Sequence, residues 1–259
     1  MMKVSRLLRE RPVFASVLVL TAYIAPSIAG MFVPAVKAVL SEHSVLITCL
    51  WDMLAVALCL RVMDDMHCEV GGYAPTTPCV IIGSIVVLSM LWLIGNVGGT
   101  VIVETIGDNS FASYQSNIGA MSTWSAIAFA VVVAPAAEEL VMRGVIYRAL
   151  RGPWVPVAAA LASAIAFAVI HGTLVHLPMT FMLGLAMCCL LEMFGDVRWC
   201  ILAHALINLA TYVVLPYVHV PDWFITPMFA TIGFICIVLI MLVVLDMLGR
   251  IEGAADTLD

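Results

Sequence analysis

The chain has 259 residues, of which 64% are hydrophobic and only 11% charged. A soluble domain is nearer half apolar and a quarter charged, so a single water-surrounded core cannot hide this excess and the chain must lie in a membrane. The net charge of −6, with no basic run beyond the N-terminus, excludes a nucleic-acid surface.

A membrane-crossing helix needs about 20 apolar residues. In chain order such runs fall near residues 13–35, 44–63, 79–103, 122–148, 155–174, 176–194, 199–217 and 224–247, which predicts eight spans. No series of ten-residue alternating segments occurs, which excludes a transmembrane barrel. The expected fold is all-α: a polytopic membrane protein forming one integral domain over 1–259, with three spans in 1–121. The first run has a basic start and a small-residue stretch at Ser27-Ile28-Ala29, the outline of a signal peptide. Its apolar stretch continues past Gly30, so it is read as an uncleaved span. Lys3, Arg6, Arg9 and Arg11 precede it and place the N-terminus in the cytoplasm. Eight spans then bring Arg61, Arg143, Arg148, Arg151, Arg198 and Arg250 to cytoplasmic ends, together with the C-terminus. Lys37 falls on the far side, as does the 104–121 loop with Glu104 and Asp108. The expected location is the plasma membrane of a prokaryote or the endoplasmic reticulum of a eukaryote.

The eight cysteines form no C-x-x-C pair and sit mostly within apolar runs. They read as buried free thiols, not as a disulfide framework or a zinc knuckle. Asp64-Asp65-Met66-His67-Cys68-Glu69 lacks metal-ligand spacing and reads as a solvated loop.

Ionisable residues inside spans cost a few kcal/mol on insertion scales, so each marks a candidate functional site. In the fourth run, Glu138 and Glu139 are followed by Arg143. Glu139 and Arg143 are four apart, share a helix face and suit an ion pair. Glu138 is rotated by about 100° from Glu139 and need not share that partner, which leaves it to act as a general base. In the fifth run, Phe167 lies one turn before His171 and can pack against its ring. In the seventh, His204 and Asn208 are four apart and can project into one cavity. Each cluster alone has a plain alternative: a structural ion pair, a histidine bonded between helices, an asparagine that joins helices. Their occurrence together in three later runs favours a site. His43, His176 and His219 fall at far-side ends, and His67 in a cytoplasmic loop. Asp246 has Arg250 one turn on and reads as a surface pair, whereas Asp52 is a buried acid without an evident partner.

E-E-x-x-x-R, F-x-x-x-H and H-x-x-x-N in this order resemble the CPBP family of intramembrane proteases, which comprises CAAX prenyl endopeptidases and bacteriocin-processing or Abi-like proteins. The resemblance covers about 122–215 and identifies these as the core helices. It implies an eight-helix endopeptidase acting on a peptide or prenylated protein at the membrane, within lipid and without nucleic acid. Carried onto this chain, it makes Glu138, Glu139, His171, His204 and Asn208 the catalytic set, with Glu138 and His171 activating water and His204 and Asn208 stabilising the oxyanion. Arg143 and Phe167 are expected as structural support. A metal-free glutamate mechanism is favoured. The alternative is zinc or another divalent ion held by Glu138, His171 and His204. Two other functions remain open: a proton-coupled transporter or relay, and a catalytically silent immunity or binding protein.

Overall fold

A computed structural model describes residues 4–36, 44–66, 70–72, 74, 77–78, 80–85, 105, 124–171, 174, 176–214 and 227–255. Most of the predicted third run, Lys37, Glu104, Asp108, His43, His67 and His219 lie outside these residues. Among the described residues there is no strand, as expected where a bilayer forces each segment to satisfy its own backbone polar groups.

The N-terminal part comprises α1 (Val4–Glu10), α2 (Pro12–Tyr23) and α3 (Ala25–Phe32), followed by α4 (Ser44–Met66). The first predicted span is not one straight helix: α2 and α3 meet at an angle of 61°. Pro26, in the first turn of α3, has no N–H to continue the α2 ladder, and its ring crowds the preceding turn. The bend turns Tyr23, Pro26 and Ser27 towards the interior, where they wall a cavity.

The fourth run is helical from 124 to 151 but is not uniformly α. α5 (Trp124–Ala128), α6 (Ala134–Glu139) and α7 (Arg148–Arg151) are joined by wider π turns at Phe129–Val133 and Leu140–Tyr147. α8 (Pro156–Ile170) is 15 residues long, α9 (His176–Phe194) 19, and α10 (Val197–Leu209) 13, running into a third π turn at Ala210–Val214. α11 (Pro227–Ala255) closes the described chain. Asp196 caps α10 by accepting from the backbone N–H of Arg198 at 2.9 Å. Burial pulls the Asp196 pKa upward, but the hydrogen bonds and charge of Arg198 outweigh it and hold it below its usual value.

By length and apolarity, Leu46–Met66, His176–Phe194 and Ile232–Arg250 can cross a membrane, and the bent α2–α3 pair would be a fourth. α9 is the central one: 78% of its spanning window is buried, against 11% in α4 and 17% in α11. α8, α10 and α11 pack around α9, and α4 packs against α6 and the 140–147 turn. The outer faces of α4 and α11 expose Leu50, Met53, Leu58, Leu239 and Val243. Helices that are apolar on their exposed side belong in lipid.

Two glycines permit close approaches. A Cβ at Gly184 on α9 would stand 2.8 Å from the Ala164 Cα on α8, so these helices touch backbone to backbone there. Gly71, at φ +74°, lies against the end of α9, where a Cβ would meet the Glu192 carbonyl at 2.4 Å. The neighbouring backbone donates there, Gly72 to Glu192 O at 3.0 Å and Ala74 to Met193 O at 2.8 Å.

Candidate functional site

Glu139 is fully buried, and its partners explain how α6 carries it. Oε2 is 3.2 Å from Arg143 Nη1, while Oε1 accepts from Arg143 Nη1 at 3.3 Å and pairs with His204 Nδ1 at 2.8 Å. Arg143 is equally buried; its Nη2 donates to the Gly184 carbonyl at 2.8 Å, and its guanidinium lies 4.8 Å from the centre of the Phe167 ring. The predicted Glu139–Arg143 pair therefore exists, extended by a histidine from α10 and a carbonyl from α9. Satisfying most of the polar atoms of a buried pair in this way offsets its desolvation.

Glu138 points elsewhere. Its side chain is 19% exposed, and Oε2 stands 3.8 Å from His204 Nε2. The two glutamates thus face different surroundings, as their rotation predicts, yet His204 lies between them with one ring nitrogen towards each. Because the Glu139 carboxylate accepts from Nδ1, Nε2 carries a proton only when the ring is an imidazolium.

His171 is the residue at which α8 ends. Its Nδ1 lies 2.7 Å from the Phe167 carbonyl. A carbonyl can only accept, so Nδ1 holds the proton and, in the neutral ring, Nε2 is the free base. Phe167 is fully buried and packs edge-on to His171, with centroids 4.7 Å apart, and to His204, at 6.1 Å. One aromatic ring therefore seats both imidazoles and Arg143.

Asn208 meets the first π turn. The Ala134 N–H bonds Phe129 O, five residues back, and Pro135 has no N–H. Ala130 O consequently loses both local donors, and Asn208 Nδ2 supplies one at 2.9 Å. A buried carbonyl of this kind requires a partner. The second N–H and the oxygen of the amide are not needed for that bond.

Glu138, His171, His204 and Asn208 line one cavity of about 260 Å³, with Thr180 and Tyr212. His176, expected apart from these clusters, lines it as well. Its ring lies 6.4 Å from that of His171. Asp52 is 3% exposed and lines an adjoining cavity of about 210 Å³ that also includes Glu138 and His171.

Fixing both Nδ1 atoms on acceptors is the kind of outer support that metal-ligating histidines have. Even so, among the described residues no three His, Cys, Asp or Glu side chains are gathered closely enough to hold a metal ion. As placed, Glu138, His171 and His204 are not gathered as one set of metal ligands.

Glu192, unremarked in the sequence reading, forms a second buried polar centre. Its Oε1 accepts from the Tyr147 hydroxyl at 2.7 Å and from Arg151 Nε at 2.8 Å. It holds the end of the 124–151 run to α9. A lone glutamate within Met-Cys-Cys-Leu-Leu-Glu-Met-Phe was the available signal. Asp246 and Arg250 form the expected exposed pair at 2.7 Å, and the described cysteines are free thiols.

Residues 120–210 match the family model described as Type II CAAX prenyl endopeptidase Rce1-like. The matched segment carries Glu138, Glu139, Arg143, Phe167, His171, His204 and Asn208. Neither the comparison with curated proteins nor that with solved structures gives a match.

Proposed function

Starting from an Rce1-like segment at 120–210, we propose that the chain is an intramembrane endopeptidase that hydrolyses a peptide bond by a glutamate-dependent, metal-free mechanism. One observation carries this reading: Glu138, His171, His204 and Asn208, from three helical segments, line a single cavity. Glu138 and His171 Nε2 activate water, whose oxygen adds to the substrate carbonyl as its proton passes to Glu138. The developing oxyanion is stabilised by Nε2–H of protonated His204 and by the second amide N–H of Asn208. Glu139 and Arg143 hold His204, and Phe167 sets the angle between the two imidazoles.

The substrate class we favour is a peptide or protein carrying a lipid, presented from the cytoplasmic side. An entirely apolar cavity of about 310 Å³, lined by Val19, Leu54, Leu58 and Val141, adjoins the cavity of Asp52 through Tyr23 and Trp51. It supports a substrate with an apolar chain next to the bond to be cut. Eight spans with both termini cytoplasmic remain the topology that best accommodates the apolar runs and the basic residues.

Peptides accumulating in cells with the wild-type chain and with Glu138→Ala test the activity and identify a substrate. The expected outcome is that cleavage is lost with Glu138→Ala while the protein stays folded and abundant. The same assay with a chelator, alongside elemental analysis of purified active protein, is expected to show unchanged cleavage and no stoichiometric metal. Undiminished proteolysis by purified Glu138→Ala would remove the mechanism.

A further inference from the structure

Two cavities meet at Glu138 and His171. One contains His204 and Asn208; the other is walled by Tyr23, Ser27, Trp51 and Asp52. They share the Glu138 carboxylate and the His171 ring and differ beyond these. The first presents the N–H groups of His204 and Asn208 assigned to the oxyanion, whereas the second presents the carboxylate of Asp52. Tyr23 lines the same wall, with its hydroxyl within interaction range of that carboxylate. The Trp51 indole N–H donates to the Tyr23 carbonyl at 2.8 Å, tying α4 to the bend after α2. An acid 3% exposed that lines a cavity shared with Glu138 and His171 needs an account beyond packing.

A trans peptide bond points its C=O and its N–H in opposite directions. A substrate amide whose carbon lies at Glu138 and His171, with its oxygen towards His204 and Asn208, therefore turns its N–H into the second cavity. We propose that Asp52 accepts this N–H and so holds the nitrogen side of the scissile bond, with Tyr23 positioning its carboxylate. This deepens the endopeptidase reading and rests on it. It also assigns part of the site to α2 and α4, outside the segment that matches the family model. When the tetrahedral intermediate collapses, the C–N bond breaks as the proton taken up by Glu138 passes to nitrogen. Asp52 accepts hydrogen bonds from the amide and then from the amine, and exchanges no proton.

The test compares two bonds. A membrane-embedded reporter peptide, whose cleaved bond is located by mass spectrometry, is paired with its depsipeptide twin, in which oxygen replaces that one N–H. Both are given to the full chain in liposomes, as wild type, Asp52→Asn, Asp52→Leu and Tyr23→Phe. Asp52→Leu keeps the bulk, removes the acceptor and leaves no unpaired buried charge. Losing a hydrogen bond to a charged group is expected to lower kcat/KM on the amide by about 10- to 100-fold in Asp52→Leu, with the ester rate unchanged. Asp52→Asn and Tyr23→Phe should give smaller losses with the same preference. Equal losses on both bonds would assign Asp52 to packing and overturn the proposal, as would no loss on either. A wild-type chain that cleaves neither reporter nor any cellular peptide would overturn the endopeptidase reading, and this proposal with it.

Discussion

Adjacent residues on one helix can have unrelated tasks, and Glu138 and Glu139 are such a case. Glu139 is enclosed by Arg143 and His204, whereas Glu138 reaches the cavity. Removing one member of a buried ion pair strands the other, at a cost of about 3–5 kcal/mol. Arg143→Leu and Glu139→Leu are therefore expected to lower stability by about that much, while Glu138→Gln, at a partly exposed site, changes it by no more than about 0.5 kcal/mol. Unfolding in mixed micelles monitored by circular dichroism measures all three, and equal losses would contradict this division. The Glu139–Arg143 contact was readable from spacing because both ends lie within one helical turn. Asp52 and Glu192 were not assignable in the same way. The partners of Glu192, Tyr147 and Arg151, are 45 and 41 residues away, and no local pattern pairs groups at that separation.

At the scale of elements, the feature that shapes the site is the pair of π turns flanking α6. The apolar run over 122–148 predicts a helix there but cannot distinguish a turn closed five residues back from one closed four back. The consequence at Ala130 is an orphaned carbonyl that draws in Asn208. Pro135→Ala supplies an N–H that can reach back to this turn and compete with Asn208. The expected result is a displaced Asn208 side-chain amide signal in NMR spectra and slower cleavage. The loss is bounded by the about 100- to 1,000-fold that removal of one oxyanion donor costs. An unmoved Asn208 signal would mean that Ala130 holds the amide for another reason.

For the whole molecule, packing around α9 sets the distances among helices that are remote in sequence. Gly184 is one close approach: it admits α8 and offers its carbonyl to Arg143. Gly184→Ala must separate two backbones, and overpacking of this kind costs about 1–3 kcal/mol. Because α8 carries His171, cleavage should fall with stability, both read on the same purified variant. Retained activity at wild-type stability would show that α8 and α9 can part without disturbing the site. Among the described residues, apolar run lengths anticipated helices near the right places, and they anticipated membrane residence. They did not anticipate the bend at Pro26, because a run of apolar residues has no direction until a missing N–H breaks it. Nor did they anticipate that, among the described residues of the run at 155–174, the helix would span Pro156–Ile170.

The shortness of α8 bears on the lipid around it. Fifteen residues rise about 22 Å, roughly 8 Å less than the hydrocarbon thickness of an ordinary bilayer. Were Pro156 placed at one interface, the end of the helix at His171 would stop inside the core, a mismatch that local thinning or a wedge of solvent would relieve. Either relief would shorten the path that a water molecule must travel to reach the imidazole, so the length of one helix would bear on the supply of water to the proposed site.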